Sequence, residues 1–114
     1  MENTFVMVKP DGVRRARVGE VIGRLERKGL ELIQMCTLRI DEELSRRHYA
    51  EHVEKPFYPE LEEFITSGMV VAMEWSGEGA VSQVRTLMGA TNPADAAPGT
   101  IRGDFCTLLT ENLV

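Results

Sequence analysis

An α+β sandwich, a small sheet with helices laid on one face, is the fold class this sequence predicts. Three observations carry it. Three short apolar, β-leaning runs are spread along the chain, stretches of helical periodicity separate them, and no linker, repeat or low-complexity segment divides the 114 residues. The chain therefore reads as one domain. A layered sheet of this kind usually carries another strand, and that final strand is expected beyond the last residue rather than within the sequence.

The first run, residues 4–8 (TFVMV), is partly β-branched and closes on Lys9-Pro10-Asp11-Gly12, so it predicts a buried strand ending in a turn. Val18–Lys28 places Val18, Val21, Ile22 and Leu25 on one helical face, and Gly29 after basic residues is a helix stop. Residues 32–40 (LIQMCTLRI) have strand length. Asp41 then offers an N-cap for a helix through about His52, with Leu44 and Tyr49 facing inward. Pro56 and Pro59 interrupt, residues 60–65 make a short helix ending near Ser67-Gly68, and residues 70–75 (VVAMEW) form the third strand. Ala80–Met88 is helical again, with Val81, Val84, Leu87 and Met88 inward. Residues 89–105, rich in Gly, Pro, Ala, Thr and Asp, predict a long ordered loop with at most a short helical turn.

A net charge of −5 argues against a protein whose task is gripping a nucleic-acid backbone, which needs a basic face. It leaves room for a single nucleotide, which needs only a few cations in one place. No specific nucleic-acid partner is expected. An RNA-binding module of similar architecture would need strand aromatics for base stacking, and the runs TFVMV and VVAMEW supply only Phe5 and Trp75. No apolar stretch approaches the roughly 18 residues of a membrane span, and the first residues carry no basic-then-apolar leader, so no membrane is expected. Two cysteines, Cys36 and Cys106, fit free thiols in a cytoplasmic chain better than a disulfide framework.

Several side chains could carry chemistry. Lys9 stands at the head of a turn just past a strand, a rigid place from which to aim one ammonium, although a solvated turn lysine has the same spacing. Arg85 on a helix, with Thr91, Thr100 and Arg102 in the loop behind it, suits polyphosphate: guanidinium forks match phosphate oxygens, and small residues let backbone N–H groups approach. Scattered surface residues would look alike at this level. No GxxxxGK[ST] pattern is present, so such a site would not be a P-loop. Phe57, Tyr58 and Leu61 after Pro56 form an apolar patch that can stack on a flat base or close a hairpin on its own core. His48 and His52 share a face of the expected helix and could pair on a metal, but Tyr49 stands where the zinc-protease pattern has Glu, and no third ligand is indicated.

Taken in order, TFVMVKPDGV, VGEVIGRLERKGL, HYAEH, KPFYPEL, FITSGMVVAMEW, LMGATNPADAAPGTIRGDF and Asn112 match the order and spacing of nucleoside diphosphate kinases. The resemblance runs from Thr4 to Val114, and NPADAAPGTIRGDF is its most specific part. It implies a ferredoxin-like antiparallel sheet with helices on one face. It implies transfer of the γ-phosphate of a nucleoside triphosphate to a nucleoside diphosphate through a phosphohistidine, with Mg2+ and a broad range of bases. By the same resemblance Lys9 contacts phosphates and Tyr49 holds it. Phe57 stacks on the base and Leu61 closes the apolar side. Arg85 and Arg102 clamp the terminal phosphates, Thr91 donates its hydroxyl, and Asn112 meets the sugar. Mg2+ is carried by the nucleotide phosphates rather than by protein side chains. Nucleoside di- and triphosphates are the expected ligands, and self-association into a hexamer or tetramer is expected.

The family pattern continues from Asn and two apolar residues to the nucleophilic His. Here Asn112-Leu113-Val114 fills the first three places and Val114 is the last residue. The expectation is a nucleophile immediately after Val114, and no turnover by the 114 residues alone. The alternative is a truncated, catalytically inactive nucleotide-binding or assembly homologue. Ala16-Arg17, where Gly-Leu is common, reads as a tolerable change.

Overall fold

The computed structural model describes residues 1–107 and 113–114. Three strands, β1 (Glu2–Val8), β2 (Glu31–Arg39) and β3 (Met69–Gly77), form one antiparallel sheet in the order β1-β3-β2. The helices are α1 (Pro10–Arg14), α2 (Val18–Lys28), α3 (Glu42–His48), α4 (Tyr58–Ile65), α5 (Ala80–Met88) and α6 (Ile101–Phe105).

The sheet register sorts the core. Val6 pairs with Met73 and Val8 with Val71, so these four share a face. With Trp75 they pack against Val21 and Leu25 of α2, Ala80 and Val84 of α5, and Ile101 of α6. The intervening residues point the other way. Met7 and Val70 join Ile40 and Ile65 in a smaller cluster flanked by Leu38 and Tyr49, where the α3–α4 hairpin closes on the sheet. A one-residue slip of β1 would exchange these two sets, which is why its register is firmly held.

Both long amphipathic helices fall where the spacing places them. α2 ends at Gly29 in the left-handed region (φ 105°), which a residue with a Cβ adopts at a cost. α5 starts after Gly79, also left-handed. The α5 inner face is Ala80, Val84, Leu87 and Met88, while Val81, expected inward, is exposed. Ala80 and Val84 are one turn apart, and Val81 falls beside that stripe.

Other expectations shift. Lys9-Pro10-Asp11-Gly12 is not a plain turn: Pro10 opens α1, where its missing N–H costs nothing. Asp41 caps α3 as expected, its carboxylate accepting from the Leu44 N–H at 2.8 Å. But α3 stops at His48. From Tyr49 the backbone runs in three-residue turns, with His52 N–H to Tyr49 O, Lys55 N–H to His52 O and Tyr58 N–H to Lys55 O. Leu44, expected inward, does line an apolar cavity with Met7, Ile40 and Val70 but keeps 36% of its surface exposed, and the buried α3 residue is Ser45, whose hydroxyl meets the Tyr58 hydroxyl at 2.8 Å. The segment of residues 89–105 holds a 3-10 turn at Pro93–Asp95 and then α6. Ala16 has φ 57°, so the position where the resemblance puts glycine is strained by its methyl group.

Among the described residues no helix is long and apolar enough to cross a membrane. Cys36 is exposed and Cys106 buried, both as free thiols.

Candidate functional site

Two groups of side chains stand out, one cationic and one aromatic. The cationic group starts at Lys9, which follows Val8 directly and caps α1 from extended backbone (φ −76°, ψ 169°). Its N–H donates to the Leu113 carbonyl at 2.8 Å, so the end of β1 and residue 113 are tied together. The packing beneath is tight: a Cβ on Gly12 would fall 2.7 Å from a Val8 methyl and 3.0 Å from Leu113. Burial lowers the Lys9 ammonium to a pKa of about 8. The Arg102 guanidinium pushes the same way, and Asp11 and Cys106 oppose it.

Arg102 is buried on the first turn of α6. Its guanidinium donates to the Gly89 carbonyl at 3.2 Å and to the Val114 carbonyl. Burial lowers its pKa, and the charge of Arg85 in the last turn of α5 adds to that. The charge of Arg102 reaches Lys9, and that of Arg85 reaches Arg102. Cations gathered around a buried guanidinium suit an anion of several charges.

The local sequence explains how α6 presents Arg102. Thr100 caps the helix: its hydroxyl accepts from the Gly103 N–H at 3.0 Å and donates to the Ala97 carbonyl at 2.6 Å. Gly89 (φ 87°) lies against it, and a Cβ there would sit 2.5 Å from the Thr100 hydroxyl oxygen. A Cβ on Gly103 would run into the Ala97 carbonyl oxygen. The glycines and threonine of this stretch are where backbone meets backbone. Thr91 is exposed two residues past Gly89.

The aromatic group lies on the hairpin. His48 contacts the Phe5 ring at 5.9 Å and stands edge-on to Tyr49 at 4.6 Å. Tyr49 neighbours His52 at 6.4 Å, and His52 neighbours Phe57 at 5.5 Å. Burial raises the Tyr49 phenol above its usual range, with the Tyr58 phenol adding to it, so it stays a hydroxyl. Phe57 caps α4 with half its surface exposed. Leu61, one turn on, is half-buried, and its N–H bonds the Phe57 carbonyl. Phe57 and Leu61 thus share a face, as an apolar platform requires. His48 and His52 are not on one helical face, because α3 ends between them, so the helix-borne metal pair falls away. Among the described residues no group of three or more His, Cys, Asp or Glu is placed to hold a metal ion. Asn112 lies outside the described residues.

Sequence reasoning missed Asp11, whose charge acts on Lys9, and Arg24, which binds the α6 segment from α2. Asp11 was legible as part of KPDG. Arg24 was not, because its partners lie 75 and 80 residues away.

The comparisons with known proteins agree along the whole chain. A family model described as "Nucleoside diphosphate kinase" matches residues 2–114. A nucleoside diphosphate kinase of Thermus thermophilus is 60% identical over 114 residues, all of this chain and 83% of that protein. One of Archaeoglobus fulgidus is 63% identical over 114 residues, again all of this chain and 76% of its own length. Among solved structures, a halophilic nucleoside diphosphate kinase of Halobacterium salinarum in complex with CDP superimposes with a TM-score of 0.97 at 59% identity, covering 98% of this chain and 74% of that one.

Proposed function

Because this chain belongs to the nucleoside diphosphate kinase family and shares its function, moving the γ-phosphate of a nucleoside triphosphate to a nucleoside diphosphate, we propose a division of labour among its residues. Lys9, Arg85 and Arg102 clamp the phosphates, and Thr91 donates its hydroxyl to them. Phe57 stacks on the base, Leu61 closes the apolar side, and Asn112 meets the sugar. Tyr49 acts as the hydroxyl that holds Lys9 in place.

The observation that supports this reading is the buried Arg102, whose charge reaches Lys9 and which feels that of Arg85, with burial lowering both Lys9 and Arg102. Phosphoryl transfer asks the protein chiefly for positioning and for positive charge around the moving group. Stacking by Phe57 suits any base, since every base has a π-face. Mg2+ would ride on the phosphate oxygens and neutralise part of their charge, held by the nucleotide rather than by protein side chains. Replacing Arg102 with Ala should weaken binding of a triphosphate at least about tenfold while leaving the nucleoside unchanged. Calorimetric titration with ATP and with adenosine reads this, and equal loss for both would make Arg102 merely structural.

The transfer passes through a phosphohistidine, so ATP alone should label the protein and a nucleoside diphosphate should then remove the label. Transfer by a protein that never carries label would defeat the assignment.

The working form is a homo-oligomer, a hexamer or tetramer. Among the described residues β2 is a sheet edge, and it exposes Ile33, Met35 and Cys36, a template for a second copy of the chain. The setting is the cytoplasm, where an exposed Cys36 stays reduced.

A further inference from the structure

We infer that Arg24 is a positioning residue for the phosphate clamp, acting on nucleotide phosphates only through Arg102. The inference rests on the phosphate role of Arg102 proposed above. α6 is five residues long, too short to hold itself as a helix, and Arg102 is its second residue. Its Thr100 cap ties the segment to itself, not to the body of the protein.

Arg24 supplies an outside anchor. From the middle of α2 its guanidinium donates to the Gly99 carbonyl at 2.9 Å and to Asp104 Oδ2 at 2.7 Å. It also lies over the Phe105 ring, 5.0 Å from the centroid. The second Asp104 oxygen accepts from the Gly99 N–H at 2.9 Å. Arg24, Gly99 and Asp104 therefore close a ring of hydrogen bonds whose two anchor points bracket Arg102. Hydrogen bonds from Gly99 and Arg24 hold the Asp104 carboxyl below its usual range, so it remains the charged partner at neutral pH.

The guanidinium is itself oriented. Glu20, one turn back on α2, approaches its Nε at 3.7 Å. Arg17 lies on the Phe105 ring too, at 5.1 Å, so that ring is held by two guanidiniums. A planar fork can bond Gly99, bond Asp104 and stack on Phe105 together. A lysine keeps the charge and much of the stem but cannot do all three. Misplacing Arg102 by a fraction of an ångström spoils its alignment on phosphate oxygens.

The test is a double-mutant cycle on ligand affinity, with R24K, R102A and the double variant titrated calorimetrically with ADP and with adenosine. R24K is expected to weaken ADP about tenfold, the order of one charge-assisted hydrogen bond, and to leave adenosine unchanged. In the R102A background R24K should weaken ADP no further, because Arg24 has lost the residue it acts through. Additive losses, equal loss of adenosine and ADP, or unchanged ADP affinity in R24K would each overturn the inference. If R102A itself leaves ADP affinity unchanged, the clamp reading fails instead, and the two failures are distinct. D104N breaks the same ring from its other side and should reproduce R24K. Its failure to do so counts against Arg24 even where R24K folds poorly.

Discussion

Lys9 shows what one half-buried charge does to a small protein. With its pKa lowered from 10.5 to about 8, the fold disfavours the charged ammonium relative to the unfolded chain. The sign follows from proton counts. Between about pH 8 and 10.5 the unfolded chain binds more protons than the ligand-free fold, so stability gains from Lys9 as pH rises through that window. Below about 8 the penalty is present in full. Lys9→Met should therefore stabilise the ligand-free protein at pH 7, with the gain vanishing by about pH 10.5; urea midpoints of both proteins at the two pH values measure it. A polyphosphate reverses the preference, because it favours the ammonium. Nucleotide binding is then coupled to proton uptake near pH 8, and affinity falls as pH rises through it. Titration in two buffers of different ionisation enthalpy reads the uptake directly.

The elements divide by how far their causes reach along the chain. α2 and α5 were legible because their causes are local: an apolar stripe at helical spacing and a glycine at the end. The antiparallel strands were legible as apolar runs, although β1 begins at Glu2 because its pairing with Gly77 extends it past the hydrophobic stretch. α1 was not legible, since five residues give no periodicity and Pro-Asp-Gly reads as a turn. The early end of α3 was also hidden. It follows from the Ser45–Tyr58 and Tyr58–Glu62 hydrogen bonds, which pull the hairpin together through polar groups that a hydrophobic pattern ignores. For α6 the decisive residue is Gly103, packed against the Ala97 backbone. Gly103→Ala should cost about 2 kcal/mol or more, because a carbonyl rather than a pliable side chain must give way. It should also weaken ATP binding through Arg102. A denaturation midpoint equal to that of the parent would show that the segment relaxes freely.

At the scale of the whole molecule, the site draws on segments far apart in sequence, and its legibility was mixed accordingly. Lys9, Arg85 and Arg102 are legible as residue types in suggestive places, and the resemblance implies one ligand for them. That Arg102 couples to both of the others depends on β1, α5 and α6 meeting across one core, which no spacing rule encodes. The outer edge of β2 belongs to this scale too. Ile33 and Met35 are exposed on a strand whose far side is unpaired among the described residues. If β2 joins copies of the chain, Met35→Lys should lower the assembly mass seen by sedimentation, since an edge lysine opposes strand addition. An unchanged mass would move the interface elsewhere.

The anchor between Arg24 and residues 99 and 104 has a consequence in time as well as in space. It joins parts of the chain 75 and 80 residues apart, whereas the turns within α2 and the cap of α6 join near neighbours. Closing so long a loop costs entropy, and the sheet bears the same cost where Glu2 pairs with Gly77. If the Arg24 contacts form after the folding transition state, they slow unfolding and leave the folding rate alone. R24K should then unfold faster in a stopped-flow denaturant jump while refolding at the parent rate, and a slower refolding would put this anchor among the first contacts made.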